Sequence, residues 1–227
     1  MPVNTAAQPL GFSCEERAEA VRAFDERFAE MERVTWFLSQ QCRAPLVAGA
    51  TSPVVEALVW TLRSWTGPQG VTPEAKQVIS QALCQWRWPP QLFEASATMA
   101  GNAEEFAFEV VARLVKRTMA LGLPRREFAL CSKVLHWLLP WRVPVYDDFV
   151  RASLGVPAAL DHQEAYRHVV RELVAAAREV AAEDCDWLGQ IEPRSPLRGL
   201  GKCLWWAGGG STSPRSSIGG SRGGSLE

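Results

Sequence analysis

Apolar residues recur three or four positions apart over most of the chain, and short segments rich in proline, glycine and serine separate these stretches. This spacing is typical of amphipathic α-helices, whereas the alternation that marks β-strands does not recur. Gly67-Pro68, Pro89-Pro90 and Pro140 are the clearest breaks. The pattern predicts an all-α fold of about eight helices. They are expected near residues 14–40, 53–66, 73–88, 103–121, 125–139, 145–154, 162–182 and 196–206, with a further short helix within 91–99.

Residues that favour the first turn of a helix precede several of these segments. A capping box pairs a small polar residue with a glutamate three positions later, and a proline is favoured at the first helical position. Both signals agree with an all-α fold. Capping-box spacing occurs at Ser13 with Glu16, Asn102 with Glu105 and Asp161 with Glu164, and a capping residue precedes proline at Ser52 and Thr72.

The length of 227 residues suits one helical domain with a sizeable core. We divide the chain into an N-terminal arm at residues 1–12, a helical domain at 13–207 and a Gly/Ser-rich tail at 208–227. The composition of the tail cannot bury a core, so we expect it to be flexible.

The composition excludes several classes of protein. No apolar run approaches the roughly 20 residues of a membrane helix, so no membrane partner is expected. The first ten residues lack the basic start and apolar stretch of a secretory signal, which favours the cytoplasm. The six cysteines are scattered without metal-site spacing, so we expect reduced, mostly buried thiols and no metal or other cofactor. No pattern sets an oligomeric state.

The segment from Phe128 to Trp141 reads F-A-L-C-S-K-V-L-H-W-L-L-P-W, and Lys133 is its one residue that is fully charged at neutral pH. An amine on an apolar helix loses hydration, which favours the neutral, nucleophilic form. The next segment, V-P-V-Y-D-D-F-V-R, sets Asp147 and Asp148 at the head of a short amphipathic helix. We therefore expect Lys133 and a carboxylate to face one pocket. On residue type alone, an ion pair satisfied inside a core is the more common outcome.

Residues 132–155, S-K-V-L-H-W-L-L-P-W-R-V-P-V-Y-D-D-F-V-R-A-S-L-G, resemble the lysine-to-aspartate stretch of the helix-hairpin-helix DNA glycosylases. The similarity is greatest to small bacterial proteins with an 8-oxoguanine DNA glycosylase fold. The ending at residues 196–208, P-L-R-G-L-G-K-C-L-W-W-A-G, resembles their C-terminal helix. One departure is the hairpin itself, which reads M-A-L-G-L-P-R-R-E-F and keeps only Gly122 of a glycine-rich turn.

The resemblance implies a DNA glycosylase, with or without lyase activity, that removes an oxidised base such as 8-oxoguanine from double-stranded DNA. By this resemblance, Lys133 attacks C1′ of the sugar and Asp147 assists. Trp137 lies one helical turn beyond Lys133, so its ring is expected to wall the lysine's pocket. His136 and Asp148 are the other candidates for contact with the base, although a hydrogen-bonded core histidine is the simpler interpretation of His136.

Basic residues cluster around the candidate site, although the net charge of the chain is −1. A basic face on a neutral protein suits docking onto a short stretch of duplex. The alternative is that these side chains form solvated helix faces. The residues that we expect to contact DNA are Arg125, Arg126, Arg142 and Arg151.

A scaffold does not fix a function, so a second hypothesis stays open. The chain could be a non-catalytic helical protein that binds DNA or a protein partner, with Lys133 and Asp147 as an internal ion pair. A helical toxin or defence component acting on nucleic acid is a third, weaker alternative. An open pocket that reaches the Lys133 amine would favour the enzyme, and a filled core around it would favour the binding protein.

Overall fold

The computed structural model describes residues 9–62, 72–94, 101–124, 127–181 and 185–209. Over these ranges every regular element is helical, which confirms the all-α prediction. None of the described helices combines the length and the apolar character needed to cross a membrane. The α-helices are α1 (Cys14–Gln41), α2 (Arg43–Ala48), α3 (Pro53–Thr61), α4 (Pro73–Cys84), α5 (Ala103–Ala120), α6 (Phe128–Leu138), α7 (Asp148–Ser153), α8 (His162–Val180) and α9 (Pro196–Ala207).

Most predicted helix starts are confirmed by hydrogen bonds. At α1, Ser13 Oγ accepts from the Glu16 amide at 3.2 Å and Glu16 Oε2 accepts from the Ser13 amide at 2.7 Å, which completes the capping box. The side chains of Ser52, Thr72 and Asp161 also cap their helices. Helix α5 also begins directly after Asn102, as predicted, but the Asn102 side chain makes no capping bond.

The observed helix ends differ from the prediction where tertiary contacts intervene. Helix α4 ends at Cys84 rather than at residue 88, since Trp88 leaves the helix to pack into the core. Its amide donates to Leu46 O at 3.3 Å and its Nε1 donates to Leu83 O at 3.0 Å. Helix α2 was not predicted as a separate element, because only Cys42 separates it from α1 and no breaker residue marks the join.

Helix α6 occupies the interior of the fold. Every residue of α6 except Ala129 is buried, and the helix contacts α1, α5 and α8. A helix that is apolar on all sides is stable only when neighbours cover all of it. The apolar stretch noted in the sequence is therefore a core helix, and it carries Lys133 into the interior.

Helices α1 and α9 are joined by a network of four buried charges, which we call the α1–α9 charge network. It consists of Asp25 and Glu32 on α1 and Arg198 and Lys202 on α9. Arg198 Nη2 donates to Glu32 Oε1, and Lys202 Nζ donates to Asp25 Oδ1 and lies 3.4 Å from Glu32 Oε2. Two carboxylates thus face two cations, and Glu32 has no exposed surface.

Two glycines allow α9 to approach its neighbours closely. A β-carbon at Gly201 would lie 2.9 Å from Val145 Cγ1, and one at Gly199 would lie 2.4 Å from Trp187 Cζ3. Real side-chain contacts do not reach such distances, so any larger residue would push α9 outward. The glycines in the G-L-G-K sequence therefore set how close Lys202 comes to the segment before α7.

The described thiols lie mainly in the core, as expected. Cys42, Cys84, Cys131 and Cys203 are free and buried, and Cys14 is free and exposed. Burial raises the pKa of Cys42 and of Cys203 to about 12 in each case. A thiol with such a pKa stays protonated at neutral pH, so these two lack the character of nucleophiles.

The charge network predicts a large loss of stability when one member is neutralised. We expect Glu32→Gln to lower the free energy of unfolding by about 3 to 5 kcal/mol, because it leaves buried cations short of one negative charge. Urea unfolding followed by circular dichroism measures this. Glu30→Gln is the matched control, since Glu30 lies on the same helix and is exposed. A loss for Glu32→Gln no larger than that of the control would show that the network contributes little.

Candidate functional site

Lys133 and Asp147 form an ion pair between two elements. Lys133 Nζ lies 3.4 Å from Asp147 Oδ2, and the two side chains are 9% and 14% exposed. Lys133 comes from the middle of α6, and Asp147 is the residue before α7. The sequence prediction that lysine and carboxylate face each other is confirmed in its geometry.

The carboxylate of Asp147 is held by the start of α7. Its Oδ1 accepts a hydrogen bond from the Val150 amide at 2.9 Å, which makes Asp147 the N-cap of the helix. The backbone of Asp147 is extended, with φ −152° and ψ 179°. One oxygen therefore satisfies the helix start, and Oδ2 remains directed to Lys133.

Ser132 fixes the distance between the two elements. Its Oγ accepts from the Tyr146 amide at 3.2 Å and lies 2.9 Å from the carbonyl oxygen of Ala129 and 3.4 Å from that of Tyr146. The hydroxyl is fully buried. Because Ser132 precedes Lys133 and Tyr146 precedes Asp147, this contact ties the backbones of the charged pair together.

A pocket opens beside the ion pair. It contains about 430 Å³ of empty space when its open mouth is counted. The part that admits a water-sized sphere has room for about two waters. Its lining combines aromatic and charged side chains: Phe24, Leu62, Lys133, Trp137, Val145, Asp147, Arg198, Gly201, Lys202 and Trp205.

Trp137 lies on the pocket wall, as its spacing from Lys133 predicts. Its side chain is buried, and the Arg198 guanidinium carbon lies 4.2 Å from the centre of its ring. A cation at that distance is attracted to the face of the indole. Contact between Trp137 and a base stays a prediction.

His136 and Asp148 do not line the pocket. His136 is fully buried, and its Nδ1 lies 2.6 Å from the Val143 carbonyl oxygen, so Nδ1 carries the proton and donates. Burial, helped by the charge of Arg198, lowers the pKa of His136 to about 3. Asp148 is exposed at the first turn of α7. Contacts of these two residues with a substrate stay predictions.

The arginines that we expect to contact DNA are bound, in this structure, to backbone carbonyl oxygens. Arg142 Nη2 donates to Gln91 O at 3.4 Å. Arg151 Nη2 donates to Pro157 O at 2.5 Å and lies 3.3 Å from Leu160 O. Both side chains are half-buried.

The remaining two predicted contacts, Arg125 and Arg126, lie outside the described residues. Helix α6 begins at Phe128 rather than at residue 125, and no side chain caps it. The predicted helix start at residue 125 was therefore wrong. DNA contact through these arginines stays a prediction.

Sequence reasoning missed the residues that α1 and α9 contribute to the pocket. Arg198, Lys202 and Trp205 recur at helical spacing and all line it, and Phe24 faces them from α1. A signal was present in the sequence, since Arg198 and Lys202 lie among leucines and glycines one turn apart. Their acidic partners, Asp25 and Glu32, lie far away in the sequence on α1.

No protein-family model, no curated protein and no solved structure matches the chain. The resemblance to glycosylases therefore depends on the residues quoted for it above.

The buried imidazole predicts a pH-dependent stability. The unfolded chain binds a proton at His136 below its usual pKa of 6.5, whereas the folded chain does not until about pH 3. The contribution of His136 to the free energy of unfolding is therefore complete above pH 6.5. It decreases as the pH falls, by up to about 1.4 kcal/mol per pH unit.

Unfolding by urea at pH 7.0, 6.0 and 5.0 tests this prediction. We expect His136→Asn, which keeps a donor for the Val143 carbonyl, to show a smaller loss of stability over this interval than the wild type. Equal losses in the two proteins would assign the pH dependence to other groups.

Proposed function

We propose that this protein is a DNA glycosylase that removes an oxidised base, such as 8-oxoguanine, from duplex DNA. The observation that carries the proposal is the Lys133–Asp147 pair on the wall of a pocket that aromatic, aliphatic and basic side chains also line. An amine beside a carboxylate on a pocket wall suits attack on a sugar carbon. The choice of oxidised base comes from the resemblance of residues 132–155 and 196–208 to the glycosylases.

The damaged nucleotide must first leave the base stack, at a cost of a few kcal/mol. Lys133 Nζ then forms a bond to C1′ while the C1′–N bond to the base breaks, and the electron pair of that bond leaves with the base. Positive charge builds on the sugar ring during this step, and the Asp147 carboxylate stabilises it. The product is an aminal, and it becomes a Schiff base when the C1′–O4′ bond breaks and O4′ takes a proton. The Schiff base then allows cleavage of the strand by elimination.

The ion pair supplies charge during attack and proton transfer after it. Attack requires an amine that has already given its ammonium proton to water, and Asp147 stays ionised. Once the bond to C1′ has formed, Asp147 Oδ2, 3.4 Å from Lys133 Nζ, is positioned to accept the proton that the new nitrogen cation releases. The hydrogen bond from the Val150 amide keeps the carboxylate in place throughout. The same geometry also suits a water-using glycosylase, in which Asp147 would activate water and no covalent adduct would form.

A nucleoside is larger than the space for about two waters, so binding requires the pocket to widen. The side that can give way is formed by Trp205, which is half-buried. Its ring contacts Phe24, Phe28 and Phe149 edge-on, with centroids 5.2 to 5.3 Å apart. Contacts with an aromatic base can replace these edge-to-face contacts.

A non-catalytic helical protein that binds DNA or a protein partner is the second candidate. The narrowness of the pocket and the capping role of Asp147 favour it, since both are compatible with a purely structural ion pair. The two functions differ in whether the Lys133 amine reacts.

The first prediction concerns the lysine. With borohydride and a duplex that contains 8-oxoguanine, we expect the wild type to form a covalent protein–DNA adduct and Lys133→Ala to form none. Electrophoresis under denaturing conditions detects the adduct. Lys116→Ala is the control for non-specific trapping, because Lys116 is exposed on α5.

A panel of oxidised, deaminated and alkylated bases extends the trapping assay beyond 8-oxoguanine. If the wild type forms no adduct with any base in the panel, Lys133 is not a nucleophile. Free base released without an adduct would point to the water-using mechanism, and the absence of both would leave the non-catalytic scaffold.

The second prediction concerns the carboxylate. Asp147→Asn keeps a side-chain oxygen that caps α7 equally well but removes the negative charge. We expect base release to slow by about 100-fold or more, and the melting temperature to fall because Lys133 loses its buried carboxylate partner. Single-turnover release of the base and thermal unfolding measure the two effects. Unchanged release would exclude Asp147 from the reaction.

A further inference from the structure

Lys202 enters the same pocket from the opposite helix. It lies on α9 in the series Arg198, Lys202 and Trp205, which all line the pocket together with Lys133 and Asp147. Its side chain is 1% exposed. The absence of a side chain at Gly201 brings this part of α9 against Val145, two residues before Asp147.

The hydrogen-bond partners of Lys202 leave one donor unused. A lysine ammonium has three N–H donors. Among the residues that the structure describes, Nζ donates one hydrogen bond, to Asp25 Oδ1, and forms an ion pair with Glu32 Oε2 at 3.4 Å. Even with both carboxylates counted, one N–H has no acceptor among these residues, and Lys202 lines the pocket in which a substrate could supply one.

The charge network also holds Lys202 in a fixed position. Asp25 and Glu32 are both buried, and Arg198 shares the Glu32 carboxylate with Lys202. A donor that is held before the substrate binds costs no reorganisation during the reaction. The unused N–H is thus both cationic and oriented.

We propose that Lys202 is a second substrate-binding residue, which donates a hydrogen bond to a carbonyl oxygen of the flipped base. This inference rests on the proposed glycosylase function. When the C1′–N bond breaks, its electron pair passes to the base and the negative charge spreads onto that oxygen, until the base takes a proton from water. The Lys202 hydrogen bond strengthens as this charge grows, so it accelerates departure of the base.

The two lysines of the pocket then have separate tasks. Lys133 has one carboxylate partner at 3.4 Å and forms the bond to the sugar, whereas Lys202 has two carboxylate partners and remains a donor. Of these two tasks, only that of Lys202 requires a base to be present. A preformed abasic site has no base, and its reaction with Lys133 should not require Lys202.

The experiment compares Asp25→Asn with the double variant Asp25→Asn/Lys202→Met. Removing Lys202 alone would leave buried carboxylates in excess and could prevent folding. The double variant removes one positive and one negative charge, so Glu32 and Arg198 remain as a balanced pair. The two variants differ only in whether the Lys202 amine is present.

Each protein is given one duplex that contains 8-oxoguanine and one that contains a preformed abasic site. Base release is measured in single turnover, and abasic reaction is measured by borohydride trapping. We expect the double variant to release the base about 100-fold more slowly than Asp25→Asn, the typical effect of losing one charge-stabilising donor. Abasic trapping should stay similar in the two variants.

Three results would overturn the inference. Equal base release by the two variants would make Lys202 a structural residue. Parallel loss of base release and abasic trapping would show a general effect on the pocket rather than contact with the base. If the wild type neither releases a base nor is trapped on either duplex, the proposed glycosylase function falls, and the role of Lys202 falls with it.

Discussion

A carboxylate without contact to water must be paired with a cation, because removing an ion from water costs several kcal/mol. Glu32 has no exposed surface, and the cations that pair with it, Arg198 and Lys202, both come from α9. The requirement to pair Glu32 therefore fixes α9 against α1 and leaves little freedom in their relative position. Asp25, seven residues before Glu32 on α1, adds a second contact, with Lys202. Since α9 forms a wall of the pocket, the shape of the candidate site depends on this pairing.

The opposite wall depends on a different constraint. Helix α6 is buried on almost all sides, so its position is set by packing with α1, α5 and α8 rather than by charge. The hydrogen bond between Ser132 of α6 and the Tyr146 amide holds the segment before α7 against α6. Asp147 follows Tyr146 and is the N-cap of α7. Lys133 and Asp147 are therefore held by the interior of the fold itself. The pocket therefore lies between one wall that is fixed by apolar packing and one that is fixed by buried charge pairing.

The parts of this arrangement that the sequence predicted are the local ones. The apolar run around Lys133 and the short distance to Asp147 were sufficient to predict the pair, because 14 residues separate them and one turn connects them. Caps such as Ser13 were predictable for the same reason. The α1–α9 charge network was not, since 177 residues separate Lys202 from Asp25 and 166 separate Arg198 from Glu32. Periodicity shows that a charge lies on an apolar helix face but does not identify its partner. The side of α6 that faces the pocket was predictable in part: Trp137, four residues from Lys133, lies on the pocket wall, whereas His136 faces the core.

The two kinds of wall determine how the pocket can open. The charge network and α6 resist displacement, since moving either would expose apolar side chains or separate buried ions. Trp205 and Phe24, by contrast, meet through ring edges. Exchanging such contacts for contacts with a nucleobase costs little free energy, because one aromatic surface replaces another. In the glycosylase that we propose, an entering base would displace the Trp205 ring and meet Lys133, Asp147 and Lys202 at positions that barely change. Such an arrangement would serve base excision, because the energy of base flipping would not be spent on rearranging the reacting groups.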